Sequence, residues 1–123
     1  MSRRKIEIED DLERIIQQVK DEVEEAFSAF RGQNPKFEPN DWAPHDRIFE
    51  ICDGATPIYT AHIDGLYYLY GEEFEKAYRN AGIGHGDEHN HKQAAIFCYL
   101  KEAAWEEAHR LQTEAEEDLE ALQ

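Results

Sequence analysis

The side chains of this chain best placed to do chemistry are carboxylates, and their number is the first clue. Twenty-eight Asp and Glu stand against thirteen Lys and Arg, a formal net charge of −15 with a pI near 4.6. Paired carboxylates for acid–base catalysis are so plentiful at this density that no pair stands out. No Ser-His-Asp spacing, P-loop or nucleophile elbow accompanies them, and the chain reads as a non-enzyme. His85, His89 and His91, with Asp87 and Glu88, form the only metal-like cluster. It has no Cys partner and no HExxH arrangement, so no metal site or cofactor is expected. It reads as a polar loop with Asp87 or Asn90 capping the next helix, and its imidazoles would become cationic near pH 6 and offset some acidity. Cys52 and Cys98 lie far apart without a CxxC motif and read as two buried, reduced thiols. What remains is the chemistry of a surface, with carboxylates offered to a cation or a basic partner. A field of this sign disfavours direct binding to nucleic acid or to an anionic membrane, since phosphate binding needs a cationic face.

The elements that must carry these acids follow from apolar spacing. Ile8, Leu12, Ile15, Ile16, Val19, Val23, Ala26, Phe27 and Phe30 recur at threes and fours, predicting an amphipathic helix over 5–31 closed by Gly32. Residues 33–44, with Pro35, Pro39 and Pro44, read as a linker anchored by Phe37 and Trp42. A short helix over 45–52 turns Ile48, Ile51 and Cys52 inward and ends at Asp53-Gly54. Thr56-Pro57 can open the next helix, through a hydroxyl cap and a proline in the first turn; it runs to Tyr70 and Gly71. A separate short helix is expected over 72–80, then a Gly- and His-rich loop over 82–90. The last segment carries Ile96, Leu100, Ala104, Ala108, Leu111, Ala115, Leu119 and Leu122 on one stripe, with Trp105 at its border as a core anchor. No stretch alternates with period two. The fold class is all-α: one helical domain over 1–123, made of an N-terminal helix (1–32), the linker (33–44) and a helical core (45–123). No apolar run reaches the length of a signal core or a membrane span, so the chain reads as cytoplasmic.

The acids are unevenly placed. Residues 1–32 hold nine acids and six bases, and residues 33–101 eleven and six. Residues 102–123 hold eight acids against Arg110 alone. Glu102, Glu106, Glu107, Glu114, Glu117, Asp118 and Glu120 lie mainly off the last helix's apolar stripe. Glu9, Glu13, Asp21, Glu24 and Glu25 form a second set on the first helix, and Glu50, Asp53, Glu72 and Glu73 lie between. Like charges three or four apart weaken a helix, and acids near its C-terminus oppose the dipole. Helix stability therefore does not account for the pattern. Side chains at that spacing stand about 5–6 Å apart, sparser than the roughly 3.4 Å per charge along one DNA strand. Several such ridges side by side approach a row of phosphates.

Two stretches of the chain resemble the Ocr family of phage anti-restriction proteins. One is Ile48-Phe49-Glu50-Ile51-Cys52-Asp53-Gly54-Ala55-Thr56-Pro57-Ile58-Tyr59, continued by Ala61-His62-Ile63, where the family favours an acid at the place of His62. The other is Ala95-Ile96-Phe97 followed by Ala104-Trp105-Glu106-Glu107-Ala108, similar to the family's final helix. The likeness covers about residues 46–70 and 93–120. It implies an all-helical protein whose acids, the sixteen named above, imitate the phosphates of bent duplex DNA. Its partner would be a DNA-binding host defence protein, a type I restriction-modification enzyme or a related DNA-handling system, in the host cytoplasm. The alternative is an acidic helical adaptor that binds a basic protein without imitating DNA. The family forms homodimers through an apolar patch on the helix after the Pro-Xaa-Tyr turn. Here Ile63, Tyr67, Tyr68 and Tyr70 are the candidate interface. Asp64, in place of a bulky apolar residue, and Tyr68, in place of a small one, depart from the family pattern, and the tyrosines offer a different contact.

Overall fold

The computed structural model describes residues 5–33, 42–55, 63–81 and 88–121. Four helices make up the described chain, with no strand among these residues: α1 (Lys5–Gln33), α2 (His45–Gly54), α3 (Ile63–Asn80) and α4 (Glu88–Ala121). The all-α reading holds.

The period-3.6 stripe of α1 is its buried face. Leu12, Ile15, Val19, Val23 and Phe27 are all nearly inaccessible, with Ile16, Ala26 and Phe30 packed beside them. The helix passes through Gly32 and ends one residue later. Trp42 then seats its ring 4.7 Å from Phe27, and Gln112 of α4 donates a hydrogen bond to the Trp42 carbonyl at 3.1 Å. Entry to α2 needs no side-chain cap. Pro44 stands at the N-cap, and the Ile48 amide donates to its carbonyl at 2.8 Å. Ile48, Ile51 and Cys52 are buried as expected.

The two helices anticipated on either side of Gly71 meet at a kink at Tyr70, whose φ of −126° and ψ of 17° leave the helical region; together they form the bent element α3. A single glycine weakens a helix without stopping it, and the burial of Phe74, Ala77 and Tyr78 carries the helix onward. The expected opening at Thr56-Pro57 lies outside the described residues. One expectation is corrected, the loop placed over 82–90: α4 already begins at Glu88, so His89 and Asn90 lie within it. No Gly or Pro interrupts 88–96, and Ala95 and Ile96 are fully buried. The helix thus extends upstream of its apolar stripe to the docked ring of His91. Asp87 and His85 lie outside the described residues, as do Leu122 and the side chains of Glu9, His89 and Leu119.

At 1.5 Å per residue the 34-residue α4 is about 51 Å long. It is the spine, since α1, α2 and α3 all pack on it. Ile96, Leu100, Ala104, Ala108 and Ala115 are buried against them, and Leu111 and Trp105 are partly so. The N-terminal helix is therefore part of the single core. No helix among the described residues is long and apolar enough to cross a membrane.

Two predictions arise here. A Cβ added at Gly71 would meet only the Tyr67 ring, at 3.4 Å, an ordinary contact. Gly71→Ala should therefore stabilise the fold by about 0.5–1 kcal/mol, read as an upward shift in the denaturation midpoint. The cysteines are free and buried. Burial pushes the Cys52 thiol up to about 12, with Lys101 lowering it and Glu22 raising it, and burial raises Cys98 in the same way. Because the thiolate is the nucleophile, both thiols should resist alkylation at neutral pH and react together in denaturant. Labelling followed by intact-mass measurement checks this.

Candidate protein-interaction surface

Helix geometry decides which acids face outward. On α4, Glu102, Glu106, Glu114, Glu117, Asp118 and Glu120 are exposed, as sequence spacing led one to expect. Glu116 joins them and was not anticipated. On α1, Glu13, Asp21 and Glu25 are exposed and Glu24 is half-buried. Glu50, Asp53, Glu72 and Glu73 also face outward. Glu107 does not. Only 7% of it is accessible, because its position falls beside Ala104 and Ala108 on the packed side of the helix. It cannot serve as an exposed phosphate equivalent, and its role is internal.

That role is set by Arg110. Its guanidinium donates to Glu107, to Glu114 at 2.6 Å and to Glu24 of α1 at 3.1 Å. One cation thus ties three carboxylates from two helices. The hydrogen bond to Glu107, helped by the fields of Glu107 and Glu114, raises the Arg110 pKa against the opposing effect of desolvation. The pattern repeats on α1, where Asp11, 6% accessible, is bonded by Arg14 one turn on. Elsewhere Arg47 pairs with Glu50 at 3.1 Å, and Gln17 donates to Asp21 at 2.9 Å. Among the described residues no cation pairs with Glu116, Glu117, Asp118 or Glu120. Four acids without an ion pair among the described residues thus crowd the last turns of α4.

A second group of acids converges across the α3–α4 seam. Burial raises the pKa of Tyr99, and the charges of Glu73, Glu106 and Glu102 raise it further. Carboxylates from both helices therefore lie within electrostatic reach of one hydroxyl. No known protein family, curated protein or solved structure matches the chain. The surface must be read on its own geometry.

The tyrosines divide. Tyr68 is 88% exposed, whereas Ile63, Tyr67 and Tyr70 are partly buried against this chain's own core. Tyr67 packs 5.4 Å from Phe74 and lies under Lys92 at 5.4 Å, and its hydroxyl donates to Glu75 Oε1 at 3.3 Å. Burial and then the Glu75 charge push its pKa up. Asp64 is exposed and pairs with Lys92 at 3.2 Å. Of the expected interface, Tyr68 alone is free to meet a second chain. His91 places Nε2 2.8 Å from both Glu75 oxygens, with its ring 4.6 Å from Tyr78. It is thus engaged with α3, and no group of three metal-ligating side chains occurs among the described residues.

The Arg110 hub supplies a third prediction. Arg110→Gln would leave Glu107 enclosed beside Glu24 and Glu114 with no cation. Removing one partner of a buried pair costs more than removing both. The single variant should therefore unfold at a clearly lower temperature, and adding Glu107→Gln should recover most of the loss. A double-mutant cycle by thermal denaturation reads both.

Proposed function

We propose that this protein inhibits a DNA-binding host defence protein by occupying its DNA groove, with exposed carboxylates standing in for phosphates and no chemistry performed. The observation that carries this reading is the end of α4, where Glu116, Glu117, Asp118 and Glu120 are exposed and, among the described residues, no cation pairs with them. Glu102, Glu106 and Glu114 on α4, Glu73 on α3, and Glu13, Asp21 and Glu25 on α1 are further exposed acids. The resemblance of residues 46–70 and 93–120 to the Ocr family supports the same conclusion and directs it to type I restriction-modification enzymes and related systems in the host cytoplasm. Carboxylates accept charge-assisted hydrogen bonds from Lys and Arg as phosphates do. A folded mimic with its curve already built in avoids the deformation energy that DNA spends on bending.

The test is competition. The protein should displace duplex DNA from a type I restriction-modification enzyme, with an affinity that falls steeply with salt. Simultaneous binding of protein and DNA would reject mimicry and favour the acidic adaptor. That second reading draws on the local neutralisation of Glu50 by Arg47 and of Glu24 and Glu114 by Arg110, which makes part of the surface less DNA-like than its net charge suggests. Dimerisation through Tyr68 would show as a concentration-dependent mass in light scattering, lost in Tyr68→Ala.

A further inference from the structure

Between the C-terminal turns of α3 and the middle of α4 runs an open groove of about 350 Å³. Ala77 and Ala81 keep its α3 side low, and the neutral thiol of Cys98 lies at its base. The indole of Trp105 forms part of the α4 wall, held by an edge contact of 4.7 Å with His45. Glu102 and Glu106, exposed and one turn apart, stand on the same wall. An indole left half-covered beside two exposed carboxylates is a combination that acid density alone does not explain. It matches one side chain above others: a guanidinium is flat, stacks on an aromatic face and pairs bidentately with a carboxylate. The ammonium of lysine is compact and strongly hydrated and uses such a wall less well.

We propose that this groove receives an arginine side chain of the partner, stacked on Trp105 and bonded to Glu102 or Glu106. The inference rests on the reading that the partner is basic and adds a contact that the phosphate rows of duplex DNA do not offer. Lys101 and His109 also border the groove; Lys101 is exposed and its long stem lets it swing clear. The local balance thus still favours an incoming cation.

The test uses oligo-arginine and oligo-lysine peptides of equal length, titrated at physiological ionic strength into ¹⁵N-labelled full-length protein. The two indole N–H resonances report the groove (Trp105) and the buried core (Trp42), and Trp105→Leu assigns them. Oligo-arginine is expected to bind about three- to fivefold more tightly than oligo-lysine, in line with an aromatic–cation contact at an exposed site. It should move the Trp105 indole and leave Trp42 still. Trp105→Leu, which keeps an apolar side chain in the wall, should abolish the arginine preference, and so should Glu102→Gln with Glu106→Gln, which keeps the indole. Equal affinities for the two peptides with an unmoved Trp105 indole would overturn the arginine site. The mimic reading would be untouched, being read by DNA displacement; loss of displacement with the arginine preference intact would leave the groove standing and remove the mimic.

Discussion

Phe74→Ala is expected to cost about 3–5 kcal/mol of folding stability, the largest single effect available in this fold. Phe74 is wholly inaccessible and holds three tyrosine rings: Tyr99 at 5.1 Å, Tyr67 at 5.4 Å and Tyr70 at 6.3 Å. It lies just after the bend at Tyr70 and is the apolar bolt between α3 and α4. Truncation removes the transfer energy of a phenyl group, leaves a cavity among rings that cannot collapse freely, and loses an edge-to-face contact with Tyr99 worth about 0.5–1.5 kcal/mol. Native domains are stable by only about 5–15 kcal/mol, so the variant should lie near its unfolding threshold at physiological temperature. Urea denaturation followed by circular dichroism reads the effect, and a loss below about 1 kcal/mol would contradict the packing described. Tyr68→Ala is the matched control. Being 88% exposed, it should change monomer stability by no more than about 0.5 kcal/mol.

The second large effect moves affinity and stability in opposite directions. Replacing Glu116, Glu117 and Glu120 by Gln and Asp118 by Asn keeps side-chain shape and removes four charges. The helix should become slightly more stable, since these acids oppose the dipole and repel one another across one turn, by a few tenths of a kcal/mol per pair. Under the proposed function, displacement of DNA from a type I restriction-modification enzyme should weaken on the order of a hundredfold, at less than about 1 kcal/mol for each exposed charge pair. The slope of log affinity against log salt should flatten with it. A variant that competes as well as the wild type would show that the end of α4 is not the contact. A variant that loses both competition and stability would point instead to a folding role for these acids.

Much of this architecture was readable from the order of residues. The stripe of α1 and the stripe of α4 from Ile96 to Ala115 were legible because burial selects a period, and the period survives in sequence. The short α2 was legible from Ile48, Ile51 and Cys52. The break in α3 was signalled by Gly71, one residue after the kink at Tyr70; that the helix resumes at once depends on Phe74, which packs among Tyr67, Tyr70 and the distant Tyr99. The start of α4 was missed for a related reason, since His91 is held by Glu75, sixteen residues earlier. Among the acids, outward orientation was read correctly for most positions because helix phase alone fixes it. Glu107 failed because it sits at the edge of the stripe, where phase does not decide. The Glu107–Arg110–Glu114 spacing of three and four was the available signal that these charges bond one another; the third carboxylate, Glu24, is supplied by tertiary structure alone.

The length of α4 has a kinetic consequence. Its first fourteen residues carry Glu88 against Lys92 and Lys101, and its last twenty carry eight acids against Arg110. The backbone dipole of the helix points the same way, negative at the C-terminus. This helix is therefore electrically lopsided along its length of about 51 Å. In the field of a basic cleft it experiences a torque before it experiences a contact. It should turn the Ala121 end forward while still a Debye length away, so that most collisions arrive already aimed. Under the proposed function, such a molecule would win a race against DNA by speed of capture, even where its resting affinity is only comparable.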